Sequence, residues 1–388
     1  MGSPTADEGA QLPASPSSAG PSAVSARRRE PGWDLLRGGF VMLVVLYHAT
    51  YLGPVLYPEL IPRRFVFPHQ VGASLLLVVS AYFACATLGR HSPRRYWWGR
   101  VARLVPAFVV VVPVAWVLLR YVSPPEWWTP GRRDLVFNWL MLGNWEPSRF
   151  PFLDGSYWTL PLQLMAFTAA AVLSATSWGR GARLRIVMWT ALLVPLAQWP
   201  YRVFGPPEPY RMLVDGFGFH RLHLFVAGVG IWLWAGRRMG GLHAAALLVV
   251  CAGAQFAHTV VLTPTGLDED WLSTVGVVAG IAVVAVVARL PRCGRLAPAP
   301  VAAAGRWLAG ISYGVYLVHQ TLGYVVMRRL QDLGIGPTLQ SAAMIVTAVI
   351  LGWALTKAVE RPAHQALLRA YDRLAVRRGG PAAEQAGR

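Results

Sequence analysis

The sequence predicts an all-α polytopic membrane protein of roughly ten transmembrane helices, with both termini in the cytoplasm. Three observations carry that prediction. Of the 388 residues, 55% are hydrophobic and only 14% charged, with a mean hydropathy of +0.42, which is more apolar surface than a soluble core absorbs. Apolar stretches of about 20 residues, long enough to cross a bilayer, recur along the chain. The formal charge of +18 comes from arginines gathered in short segments on alternate sides of those stretches. In a soluble chain such a charge points to nucleic acid; here the positive-inside pattern accounts for it.

Residues 1–30 are rich in Ala, Ser, Pro and Gly and close with Arg27-Arg28-Arg29, the composition of a disordered cytoplasmic tail. A basic run before an apolar stretch resembles a signal peptide. This stretch, however, holds Arg37 and His48 and is followed by no small-residue cleavage site, so a retained first membrane helix is expected. The membrane domain is expected over 31–368. Its spans fall near 34–53, 68–89, 101–122, 157–177, 184–201, 219–235, 242–262, 271–289, 307–327 and 339–359. Residues 137–145 are too short to span and read as an interfacial or re-entrant segment. Residues 369–388 form a basic cytoplasmic tail. With the N-terminus inside, every inside segment carries arginine, whereas Asp268-Glu269-Asp270 falls outside. No internal repeat is evident, which weakens the case for a repeat-built transporter. Cys85 and Cys251 lie in apolar stretches and Cys293 in a loop, so neither a disulfide framework nor a metal site is expected.

Within this frame a few polar residues stand where they are expensive. Arg37 and His48 are eleven residues apart, close to three helical turns, and so share one face of the first span, roughly 16 Å apart along its axis. An ionisable residue held at such depth is a functional candidate; the plainer alternative is a snorkelling arginine and a histidine bonded within the bundle. Arg100 and Arg103 open the third span three residues apart, on one face at the cytoplasmic boundary. Guanidiniums in pairs suit phosphate oxygens, although ordinary positive-inside anchoring explains them too. Tyr313, Tyr316 and His319 repeat every three residues as a polar stripe in the ninth span, which must face the bundle interior or a wet cavity. Asp154-Gly155-Ser156-Tyr157-Trp158-Thr159-Leu160-Pro161-Leu162-Gln163 enters the fourth span from outside, and Glu360-Arg361-Pro362 closes the tenth, where the proline is expected to end the helix.

The order of these elements resembles the acyltransferase-3 family of integral membrane O-acyltransferases over nearly the whole chain after the tail. Asp34-Leu35-Leu36-Arg37-Gly38 followed by His48 looks like that family's opening signature, and Arg100-Val101-Ala102-Arg103 its Arg-x-x-Arg element. Ser312-Tyr313-x-x-Tyr316-x-x-His319 resembles its late-helix motif and Glu360-Arg361-Pro362 its closing one. Two departures stand out. Where the family commonly reads Trp-Ser-Leu-x-x-Glu, this chain has Trp158-Thr159-Leu160-Pro161-Leu162-Gln163, an amide that cannot titrate in place of a carboxylate. The usual Ser-Gly of the second helix is Ser80-Ala81.

The resemblance implies transfer of an acyl group, acetyl or another short one, from acyl-CoA on the cytoplasmic side. The acceptor would be a hydroxyl of a carbohydrate, glycoconjugate or macrolide-like molecule, at the cytoplasmic membrane of a bacterial cell. His48 is then the expected general base, its reference pKa of about 6.5 suiting that task. Arg100 and Arg103 are expected on the CoA phosphates, with Arg37 part-way to His48. Asp34, Trp158, Gln163, Tyr313, Tyr316 and His319 are expected around the substrate cavity, with Glu360 and Arg361 structural. No metal is required, since a thioester needs only a deprotonated hydroxyl, a place for the oxyanion and firm positioning. There is no Gly-x-Ser-x-Gly elbow to support a serine acyl-enzyme, and an acyl-imidazole on His48 stays open. So do a transporter or flippase, and a catalytically inactive family member acting as a scaffold.

Overall fold

The computed structural model describes residues 30–378 apart from 206, 264 and 265. The tail expected at 1–30 and the end of the basic tail beyond residue 378 therefore lie almost wholly outside the described residues. Ten long helices follow the expected spans in order: α1 Pro31–Tyr47, α2 Val71–Leu88, α3 Pro93–Tyr121, α4 Thr159–Ser174, α5 Gly181–Ala197, α6 Leu222–Ala235, α7 Gly241–Thr259, α8 Trp271–Arg289, α9 Ala299–Val318 and α10 Pro337–Leu355. Among the described residues the strands are those of one antiparallel hairpin, Val260–Thr263 with Gly266–Glu269. Eight of the ten helices are long and apolar enough to cross a membrane. The other two, α5 and α6, have 17 and 14 residues. At 1.5 Å per residue the shorter covers about 21 Å, against roughly 30 Å of hydrocarbon. The chain is a multi-pass membrane protein.

Local sequence explains where these helices begin. Pro31, Pro93 and Pro337 occupy the first turn of α1, α3 and α10, where no backbone donor is needed. Ser92 accepts from the Arg95 backbone N–H at 3.3 Å, and Asp270 from that of Ser273 at 2.9 Å, capping α3 and α8. Residues 137–145 contribute the end of a short helix, Arg132–Trp139, and a single turn at Leu142–Asn144.

Apolar surface gives little drive for helices to associate within lipid, so close packing must do the work. A Cβ on Gly72 would lie 2.4 Å from the Phe40 carbonyl oxygen, so α2 meets α1 backbone to backbone. Gly314 and Gly352 let α9 and α10 touch in the same way. One buried core joins α1, α3, α9 and α10 through Val41, Val45, Phe108, Val112, Val315 and Met344. A second joins α2 with α5 to α8 through Val78, Leu192, Leu224, Leu247 and Val277. Of the residues singled out by the sequence, Trp158 packs against both cores, Tyr316 belongs to the first and Tyr313 packs against it.

Three details differ from the expected spans, and all fall at polar residues. The first helix does not end at Tyr47 but passes through a π-helical turn, His48–Leu52. Such turns recur at functional sites because they re-aim a side chain. The ninth span, expected unbroken over 307–327, stops at Val318; His319 forms a bend and a new helix runs Gln320–Asp332. The cause is external: Asp154 Oδ2 accepts from the Thr321 backbone N–H at 2.8 Å, and the Thr321 hydroxyl donates to the Leu153 carbonyl at 2.7 Å. The tenth helix does not end at Pro362. It continues through a second π-helical turn, Thr356–Glu360, into helix Arg361–Arg378. Pro362 follows directly on that π-helical turn, so the helix passes the residue with no N–H where its regular hydrogen-bond ladder is already interrupted.

Candidate active site

His48 is 5% exposed and opens the π-helical turn; its Nδ1 lies 2.8 Å from the Val44 carbonyl oxygen. A carbonyl only accepts, so Nδ1 carries the proton and Nε2 keeps its lone pair. His319, fully buried, repeats the arrangement with the Tyr316 carbonyl at 2.8 Å, and its Nε2 has no hydrogen-bond partner among the described residues. The two imidazoles meet edge to face, ring centres 4.6 Å apart. Sequence spacing placed each on its own helix; only the fold brings them together.

Two spaces meet at Ala73 and Tyr316, and His48 borders the smaller of them. The larger, about 230 Å³, is bordered by Arg37, Arg100, Arg103, Gln163, Ser312, Tyr313 and Tyr316. The smaller, about 10 Å³, lies against His48 and is bordered by Tyr47, Gln70, Ala73, Trp158 and Tyr316. The Tyr316 hydroxyl accepts from Thr159 and donates to the Ser156 carbonyl, both at 2.9 Å, so both of its roles are filled and the ring is fixed. The Tyr313 hydroxyl donates to the Leu104 carbonyl at 2.6 Å.

The arginines of the larger space are not equivalent. Arg100 donates to the Phe83 carbonyl at 3.0 Å and to the Thr87 hydroxyl at 2.5 Å, and its guanidinium lies 5.2 Å from the Tyr96 ring centre and 4.9 Å from that of Phe167. These partners are neutral; they orient the guanidinium without cancelling its charge, which leaves it suited to an anion. Arg103, by contrast, lies 3.6 Å from the buried carboxylate of Glu360, which also accepts from Thr356 at 3.0 Å across the second π-helical turn. Arg361 reaches the Gly310 carbonyl at 3.4 Å. Arg37 donates to Ser312 at 3.3 Å, and Asp34 stands three residues earlier in the first turn of α1.

Gln163 accepts from Ser80 at 3.2 Å, so the amide that replaces the family's carboxylate bonds to the serine that the second helix retains. The carboxylate near the histidines is instead Asp154, 2% exposed and close enough to His48 to interact with it electrostatically. Asp154 accepts from the Ser156 backbone at 2.9 Å, the Ser156 hydroxyl at 2.5 Å and the Thr321 backbone at 2.8 Å. Asp154 and Thr159 stood in the motif at the fourth span without an assigned role. Arg221, 9% exposed with its guanidinium 4.8 Å from the Trp158 ring centre, was not anticipated. A single arginine at the start of a span gives no pattern to read.

The site of this polytopic helical membrane protein thus combines arginines around one space with two paired imidazoles. A family model described as an acyltransferase domain matches residues 30–357, and the chain belongs to the acyltransferase-3 family. No curated protein and no solved structure matches the chain.

Proposed function

We propose that this acyltransferase moves a short acyl group from cytoplasmic acyl-CoA to a hydroxyl of a carbohydrate, glycoconjugate or macrolide-like acceptor, with His48 as general base. The observation that carries the reading is Arg100, a largely buried guanidinium held only by neutral partners on a space that ends at Tyr316, against the small space at His48. The chemistry of Arg100 suits a CoA phosphate, and Arg103 would join it by leaving Glu360. Arg37, roughly 16 Å along α1 from His48, lies part-way along the course of the pantetheine arm. The topology that goes with this reading has ten spans across the cytoplasmic membrane of a bacterial cell, with both termini in the cytoplasm.

At the reacting end, the acceptor hydroxyl gives its proton to His48 Nε2 as its oxygen attacks the thioester carbonyl. The Nδ1 bond to Val44 holds the tautomer that leaves Nε2 basic. The nearby charge of Asp154 favours the imidazolium that forms. His319 Nε2, buried and unpartnered, offers the acceptor a second contact. Positioned proton transfer of this kind contributes about 10²- to 10⁴-fold in rate.

The test is purified protein in lipid nanodiscs with labelled acetyl-CoA and a panel of sugars, lipid-linked glycans and macrolides. Free CoA thiol and an acyl ester on one acceptor class, formed without an ion gradient, are expected. Gradient-dependent movement of an unmodified molecule would instead favour a transporter.

A further inference from the structure

The larger space and the small one at His48 share two bordering residues, Ala73 and Tyr316. Both are fixed. Tyr316 is held by Thr159 and Ser156. Ala73 follows Gly72, the residue at which α2 is pressed against the backbone of α1. Ala73 and Tyr316 are 4% and 6% exposed, so neither faces a solvent-filled gap into which it can swing. Beyond them the space at His48 holds about 10 Å³. That is about one water-sized probe sphere, room for a methyl group and little more.

We infer that Ala73 and Tyr316 form the aperture through which the acyl end of the donor reaches His48, and that this aperture restricts the enzyme to acetyl. The inference rests on the acyl-CoA reading above and adds the chain length that the sequence left open. In the step concerned the acceptor oxygen forms a bond to the acyl carbon, the carbon–sulfur bond breaks, and the hydroxyl proton passes to His48. That proton then goes to the departing CoA thiolate, so charge and atoms balance with no further reactant. A longer acyl chain has to place its added methylenes in the small space at His48, where the walls that include Ala73 and Tyr316 leave no further room. Each methylene that a pocket rejects changes kcat/KM by roughly tenfold or more.

The experiment measures kcat/KM for acetyl-, propionyl- and butyryl-CoA with the wild type and with Ala73→Gly, Ala73→Val and Tyr316→Leu, each first shown to be monodisperse. The wild type is expected to prefer acetyl over butyryl by about 100-fold, for two added methylenes. Ala73→Gly and Tyr316→Leu widen the aperture and are expected to raise the butyryl-to-acetyl ratio by about tenfold or more. Ala73→Val narrows it and is expected to slow acetyl transfer itself. A wild type that uses butyryl-CoA as well as acetyl-CoA, or a ratio that both widening variants leave unchanged, overturns the inference while leaving the acyl-CoA reading intact. No transfer from any acyl-CoA by the wild type overturns both.

Discussion

Replacing Asp154 by Asn separates charge from shape at the buried carboxylate. Asp154 Oδ1 accepts two hydrogen bonds from Ser156 and Oδ2 accepts one from the Thr321 backbone. An asparagine keeps its oxygen toward Ser156 only by turning its NH₂ toward the Thr321 N–H, donor against donor. One hydrogen bond to a charged group, worth about 1.5–3 kcal/mol, is lost, and it is the bond that sets the bend at His319. At about 1.4 kcal/mol per tenfold, a loss of about 1.5–3 kcal/mol expressed in the transition state is roughly 10- to 150-fold in kcat. Arg100 lies on the other side of Tyr316, so KM for acetyl-CoA should stay within about twofold. The assay is steady-state release of CoA thiol at saturating acceptor, beside a thermal melt in detergent. Asp154→Glu is the companion variant and should recover part of the rate if the charge matters. A kcat within twofold of wild type for Asp154→Asn, or an equal loss for Asp154→Asn and Asp154→Glu, would refute the role of the charge.

Other outcomes follow from the same geometry. Arg100→Ala removes the guanidinium held by Phe83 and Thr87 and should raise KM for acetyl-CoA by about tenfold or more while kcat changes less, the pattern of a lost charge-assisted contact; an unchanged acyl-CoA dependence would remove its role. Gly72→Ala puts a methyl 2.4 Å from the Phe40 oxygen and 2.8 Å from the Val44 nitrogen, both backbone atoms that cannot rotate away. It should cost about 1–3 kcal/mol or more, seen as a lower melting temperature or loss of monodisperse protein. In the segment between α3 and α4, Glu146 accepts from Ser148 at 2.6 Å and from Arg211 at 2.7 Å, and these partners hold its carboxyl below the usual range. A depressed carboxyl pKa stabilises the fold fully above the ordinary value of about 4.3 and loses that contribution as pH falls. The melting-temperature gap between wild type and Glu146→Gln should therefore narrow on acidification through that range; a gap constant with pH would contradict the pairing.

The helices were legible because bilayer length and arginine placement act over twenty residues at a time, and each expected span lies on a helix. The breaks within them were not, because they are imposed from elsewhere in the chain. Nothing local to Leu317-Val318-His319-Gln320 announces a bend; it exists because Asp154, more than 160 residues away in sequence, captures the backbone of Thr321. The pairing of His48 with His319 is of the same kind, since spacing on one helix carries no information about a second helix. Arg103 was read as the equal of Arg100 from their shared face. Only tertiary structure distinguishes the one held by Phe83 and Thr87 from the one beside Glu360. Gln163 pointed to a missing carboxylate, and sequence alone could not say that Asp154 lies close to His48.

The central claim is that His48 Nε2 takes the proton from the acceptor hydroxyl. The direct measurement is ester formation by His48→Ala in nanodiscs, with acetyl-CoA binding followed in the same preparation. The variant should bind acetyl-CoA with wild-type affinity, since the arginines are untouched, and form ester at least about 100-fold more slowly, the lower bound of what a positioned base contributes. Ester formation at the wild-type rate by a folded His48→Ala protein would contradict it.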